Sequence, residues 1–218
     1  MVLMAVVNAN YEFIISEFGV NGRISDGGVI EHTTFHNKLK NNSLCIPDPE
    51  CLNDSDKIFN YVFLGDEAFS LTPNFLKPFN QRELTNERRI FNYRLSRARR
   101  VVENAFGILA TRFRIFHTSI NLGLENIDIV VMACCVLHNF LRIKYSTTYT
   151  PVGSLDFEDT IQGTLSLGLR TNYCNLSNIK RGHYRAISNY SKQTRQQFLE
   201  YFNNEGSVPW QNKICIYN

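Results

Sequence analysis

Between Asn86 and Phe113 the chain has no proline and a single glycine. Its apolar residues Ile90, Ala98, Val101, Val102, Ala105, Ile108 and Leu109 recur at helical spacing. This predicts one long amphipathic helix of about 40 Å, which the other elements must be arranged along. A second face of that helix gathers Arg94, Arg97, Arg100 and Asn104. The charge is as uneven as the pattern. Residues 82 to 114 carry nine arginines, no lysine and three glutamates, a local charge of +6, so a net charge of +3 leaves −3 for the remainder. The guanidinium fork matches phosphate geometry, which makes the stripe a candidate contact for a nucleic-acid backbone. Arginines that merely cover the solvated side of an ordinary helix are the competing reading.

The other segments supply a fold around this helix. Val2 to Val7 and Tyr11 to Phe18 are β-rich runs joined by Asn8-Ala9-Asn10, which predicts an antiparallel hairpin. The first run is continuously apolar, as a strand covered on both faces would be. A domain that opens on such a strand predicts further chain ahead of Met1. Met1 to Val7 is too short for a membrane span and lacks the basic leader of a signal peptide. After Asp26-Gly27-Gly28, Val29, Ile30, Phe35 and Leu39 predict a helix ending near Asn41-Asn42. Residues 48 to 56 read as a loop, and Tyr61 to Leu64 as a short buried strand broken at Gly65-Asp66. Ile127 to Ile143 is far more apolar and predicts a second helix packed inside. Residues 146 to 185 read as a loop-rich linker, followed by an amphipathic helix over about 187–202. The expected division is a domain over 1–145 and a tail over 146–218.

With 44% hydrophobic and 20% charged residues the composition excludes a disordered or collagen-like chain. The six cysteines show no disulfide-framework spacing, which fits a reduced, intracellular protein. Gly-rich phosphate loops, the Gly-x-Ser-x-Gly elbow and Cys/His protease signatures are all missing.

Three carboxylates stand out: Asp26 beside two glycines, Asp66 at a strand end, and Glu103 on the Arg-rich helix. Converging from separate elements, they could hold hard divalent cations such as Mg²⁺ or Mn²⁺. Each also has a plain structural reading. Asp26 suits a helix N-cap or Asx turn, Asp66 a strand-ending turn, and Glu103 an ion pair with Arg99 or Arg100. Cys134, Cys135 and His138 share a helix turn, but a zinc site would need a fourth ligand, and core packing explains them better.

The strings LGDEAFSLTPNFLKPF (64–79), FNYRLSRARRVVENAFGILATRFRIF (91–116) and ACCVLHNFLR (133–142) together resemble the nuclease domain of PIF/Harbinger-type transposases and their domesticated descendants. VLMAVVNANYEFI and GVNGRISDGGV at the start extend the likeness over about residues 1–145. The resemblance implies an α/β, RNase H-like mixed sheet flanked by helices. It also implies a nuclear, metal-dependent DNA endonuclease, DNA as substrate, no membrane association, and a separate DNA-binding protein as partner. Asp66 matches the acidic residue of the family's Gly-Asp motif and Glu103 that of its Val-Glu-Asn-x-Phe-Gly motif, which would make them catalytic. Asp26 matches a further metal-ligand position, and Arg94, Arg97 and Arg100 would contact DNA. The family's first acidic residue lies on an opening strand upstream of Val2, so the resemblance implies a sheet lacking its first strand and a site lacking its first catalytic Asp, which would leave the nuclease inactive. Asn8 stands where relatives often carry Asp. A non-catalytic relic that binds DNA or protein through the helix over 86–114 is the alternative.

Overall fold

The computed structural model describes residues 1–20, 26–169 and 187–216. β1 (Val2–Val7) and β2 (Phe13–Val20) pair antiparallel across a turn at residues 8–12. Asn8 holds that turn: its side-chain oxygen accepts from the N–H groups of Asn10 at 2.9 Å and Glu12 at 3.1 Å, and its amide donates to the Glu12 carboxylate at 2.8 Å. Both faces of β1 are covered, as its continuous apolar run requires. Leu3, Ala5 and Val7 pack toward Phe13, Ala105, Leu109, Cys134 and Cys135, whereas Met4 and Val6 pack toward Ile30, Phe35 and Phe75. The strand is nonetheless half-buried along its whole length. Among the described residues it is paired along one edge only, with β2.

The expected single helix after Asp26 is two. α1 (Asp26–Glu31) and α2 (Thr34–Lys40) are separated at Thr33, whose hydroxyl donates to Ile30 O at 2.6 Å and accepts from His36 N–H at 3.1 Å. Thr33 thus caps the second helix in the manner its type favours. Glu17 on β2 accepts from the N–H groups of Thr34 at 2.7 Å and Phe35 at 2.6 Å, adding charge-assisted bonds at the same helix start.

β3 (Glu50–Cys51) pairs antiparallel with β4 (Ile58–Phe59), and β5 (Phe63–Leu64) pairs parallel with β6 (Phe75–Leu76). The expected long helix is α3 (Asn86–Arg112), capped by the Thr85 hydroxyl. Its buried side is Ile90, Phe91, Leu95, Ala105, Ile108 and Leu109, whereas Ala98 is exposed. α4 (Leu124–Lys144) follows and packs against β2. The expectation that α4 lies inside holds for one side only. Val131, Cys134, Cys135 and His138 are buried, and the opposite face is exposed. By length and composition α4 alone, among the described residues, could cross a membrane, with a mean hydropathy of 1.5.

Beyond residue 145 there is more structure than a linker. α5 (Ser146–Tyr149) continues from α4, and β7 (Phe157–Asp159) and β8 (Thr164–Ser166) form a hairpin. Residues 170–186 of the expected linker lie outside the described residues. α6 (Asn189–Asn203), capped by Ser188, and α7 (Gln211–Ile216) both pack on α3. Phe198 and Leu199 of α6 share a core with Phe59, Leu71, Leu76, Phe79, Phe91 and Leu95.

The whole is a mixed α/β arrangement. In place of one mixed sheet, the described strands form four separate two-stranded ladders, three antiparallel and one parallel. Strands β3 to β6 have two residues each, which gives too few ladder bonds to extend a sheet.

Candidate acidic site and the covered basic helix

Asp66 owes its place to the parallel β5–β6 pair. Gly65 N–H donates to Leu76 O at 2.9 Å, carrying the ladder one step past β5. Only glycine fits there, because a Cβ would lie 2.4 Å from the Phe75 ring and 2.7 Å from the Phe69 ring. The chain then turns. Asp66 Oδ1 accepts from Ala68 N–H at 2.9 Å, an Asx turn that fixes the carboxyl group at the strand end.

Across the ladder, β6 is followed directly by Lys77, a residue the sequence pattern did not single out. Its side chain is 7% exposed, and Nζ donates to Glu67 O at 3.2 Å. Burial holds the ammonium below lysine's usual range, assisted by the charge of Arg195, while the carboxylates of Glu67 and Asp66 act in the opposite direction. A cation therefore sits among the acidic groups at the carboxyl ends of both strands. The available signal was a lysine placed directly after an apolar strand, between Leu76 and Pro78.

Glu103 projects from α3, which packs against β5. One carboxyl oxygen lies 3.8 Å from Arg99 Nη2, an i,i+4 pair with both side chains partly exposed. Arg100, the other expected partner, turns elsewhere. Asp26 opens α1, and its side chain lies outside the described residues. Among the described residues no three His, Cys, Asp or Glu side chains converge closely enough to hold a metal ion. The donor chemistry of Asp66 and Glu103, two carboxylates on packed elements, does suit a hard divalent cation.

The basic stripe is not a solvated face. Arg94 donates to Gly206 O at 3.0 Å and Gln211 Oε1 at 3.1 Å, and its guanidinium lies 4.8 Å over the Phe202 ring. Arg97 and Arg100 meet at Glu158 on β7: Arg97 Nε is 3.0 Å and Arg100 Nη2 2.5 Å from Glu158 Oε2, while Tyr93 donates to Oε1 at 2.8 Å. Asn104 is buried beneath the same segment and accepts from Asp156 N–H at 3.2 Å. Residues 156–158 and the α6–α7 region thus engage all three arginines expected to contact DNA, although Arg97 stays partly open to solvent. Arg82 and Arg89, toward the N-terminal end of α3, remain exposed.

His138 is fully buried, and both ring nitrogens are engaged. Nε2 donates to Tyr11 O at 2.7 Å, which leaves Nδ1 to accept from the Tyr149 hydroxyl at 3.0 Å. Cys134 and Cys135 are buried free thiols raised in pKa by desolvation. The group is core packing.

Residues 1–139 match the family described as DDE superfamily endonuclease. Among curated proteins, "Protein ALP1-like" of Arabidopsis thaliana is 25% identical over 142 residues, an alignment covering 65% of this chain and 35% of that protein. The chain therefore spans about a third of the length of that relative. No solved structure matches.

Proposed function

The chain belongs to the DDE superfamily endonucleases, and from that premise we propose that it is the nuclease domain of a Harbinger-type, transposase-derived protein acting on DNA in the nucleus. The observation that carries this reading is Asp66, held by an Asx turn at the carboxyl end of a parallel strand, with α3, the helix that bears Glu103, packed against that strand. Open α/β sheets place reacting groups at such ends. Asp66, Glu103 and Asp26 are the carboxylates that would hold Mg²⁺ or Mn²⁺. When bound, such ions would activate a water as nucleophile and stabilise the leaving oxygen of a phosphodiester.

The chain's own residues do the positioning. The Ala68 N–H fixes one oxygen of Asp66. Glu103 is held within reach of Arg99, so any ligand it gains competes with that loose ion pair. Buried Lys77 offsets negative charge at the strand ends, where the DNA phosphate would approach. Arg82 and Arg89 can meet a phosphate backbone as they stand. Arg94, Arg97 and Arg100 contact DNA only once Glu158 and the α6–α7 region give them up. For the fold, we read the β1–β2 and β5–β6 ladders as parts of one RNase H-like sheet, with the place of its first strand between β1 and β5; Met4, Val6, Phe63 and Phe75 already share one cluster there.

A second reading, a non-catalytic binding domain, is favoured by one observation: Arg82 and Arg89 are exposed and can meet a phosphate backbone whether or not the carboxylates hold metal. Nicking of supercoiled plasmid in Mn²⁺ separates the two. The nuclease reading expects open-circular product from the wild type and at least ~100-fold less from Asp66→Asn and Glu103→Gln. DNA bound equally by all three proteins, with none of them cutting it, supports the binding domain and overturns the nuclease.

A further inference from the structure

We infer that α4 is the dimer interface of this protein and pairs antiparallel with α4 of a second copy about a two-fold axis near Val136. The face of α4 opposite His138 is exposed and apolar: Ile129 and Val136 are 66% exposed, Ile143 63%, Phe140 50% and Leu137 49%. Ile129, Ala133, Val136, Phe140 and Ile143 follow one another at intervals of four, three, four and three residues. That spacing is the seam of a two-helix coiled coil, and among the described residues the face is left exposed while the other side of the helix is buried in the core.

Three properties of the seam select a second copy as its occupant. The five side chains leave on the order of 500 Å² of apolar surface per protomer, a large patch for a monomer and more than half of the ~800 Å² per partner that a standard interface buries. The charges at its ends are opposite, with Glu125 and Asp128 near the start of the helix and Arg142 and Lys144 at its end. Antiparallel pairing sets each acidic end beside the basic end of the other copy, and also opposes the helix dipoles. A two-fold at Val136 places Ile129 against Ile143 of the partner subunit, and small Ala133 beside bulky Phe140 of the partner subunit, so the seam is complementary to itself.

Sedimentation equilibrium of the 218-residue chain tests this. The wild type sediments as a dimer at micromolar concentration, and Val136→Glu and Ile143→Glu, both at exposed positions, weaken dimerisation at least 100-fold with unchanged circular dichroism. In a Cys45→Ser/Cys51→Ser background, oxidation of an Ile129→Cys chain mixed with an Ile143→Cys chain gives more cross-linked dimer than either alone. A monomeric wild type, a dimer indifferent to both glutamates, or a monomer that instead floats with phosphatidylcholine/phosphatidylserine vesicles would overturn the inference.

Discussion

Glu158 is the perturbation that reports most directly on the covered basic helix. Its carboxylate receives Tyr93, Arg97 and Arg100, and its side chain is 11% exposed, against 14% for Arg100 and 37% for Arg97. The three contributions differ in weight. Arg97 is exposed enough that solvent screens it, so its pair contributes roughly 0.5 kcal/mol. Arg100 is nearly enclosed, and leaving its charge without a partner costs about 2 kcal/mol, below the range for complete burial because some water still reaches it. The stranded Tyr93 hydroxyl adds about 1 kcal/mol. Glu158→Ala should therefore destabilise the protein by about 3.5 kcal/mol, and Glu158→Gln, which keeps an acceptor, by about half as much. Urea unfolding followed by circular dichroism reads this as a midpoint lowered by about 1.75 M if the slope is ~2 kcal/mol/M. The same substitution frees two arginines next to Glu103, so log–log plots of DNA affinity against salt should steepen by about 2 for Glu158→Gln. A midpoint shift below ~0.25 M with an unchanged salt slope would refute the reasoning, because it would mean that Glu158 neither holds nor hides the stripe.

Two further perturbations follow from single residues. Asn8→Asp keeps both turn acceptors but sets a carboxylate against the Glu12 carboxylate that the Asn8 amide now meets at 2.8 Å; a loss of about 1 kcal/mol at pH 7, shrinking at pH 4 in parallel urea titrations, is expected. Burial holds His138 below the usual histidine range, so the unfolded chain takes up the proton first. Stability is then complete above about pH 6.5 and falls as the pH drops below it. Melting temperature against pH should decline less steeply over that window in His138→Gln than in the wild type, and parallel curves would dismiss the group as the cause.

What the sequence made legible was local. The hairpin and α3 could be read because their apolar periods of 2 and 3.6 are set within each segment. Thr33 broke the expected helix after Asp26 through its own cap, a signal present in the sequence but weaker than the apolar spacing on either side. The expectation for α4 fails for a different reason: a helix apolar on nearly all sides reads as enclosed, and no pattern within it says that among the described residues it is the Val131–His138 side that is buried. The cover over Arg94, Arg97 and Arg100 was beyond reach, since Glu158 lies 58 residues from Arg100 in a segment poor in apolar anchors. Lys77 was hidden likewise, because the groups around it, Glu67 and Arg195, come from separate segments of the chain.

The central claim, that Asp66 and Glu103 are ligands of divalent metal, is tested most directly by titrating Mn²⁺ calorimetrically into the wild type and into Asp66→Ala and Glu103→Ala. A saturable isotherm in the wild type that is lost in both variants, each with wild-type circular dichroism, is the predicted result. Isotherms that cannot be told apart among the three proteins would contradict it.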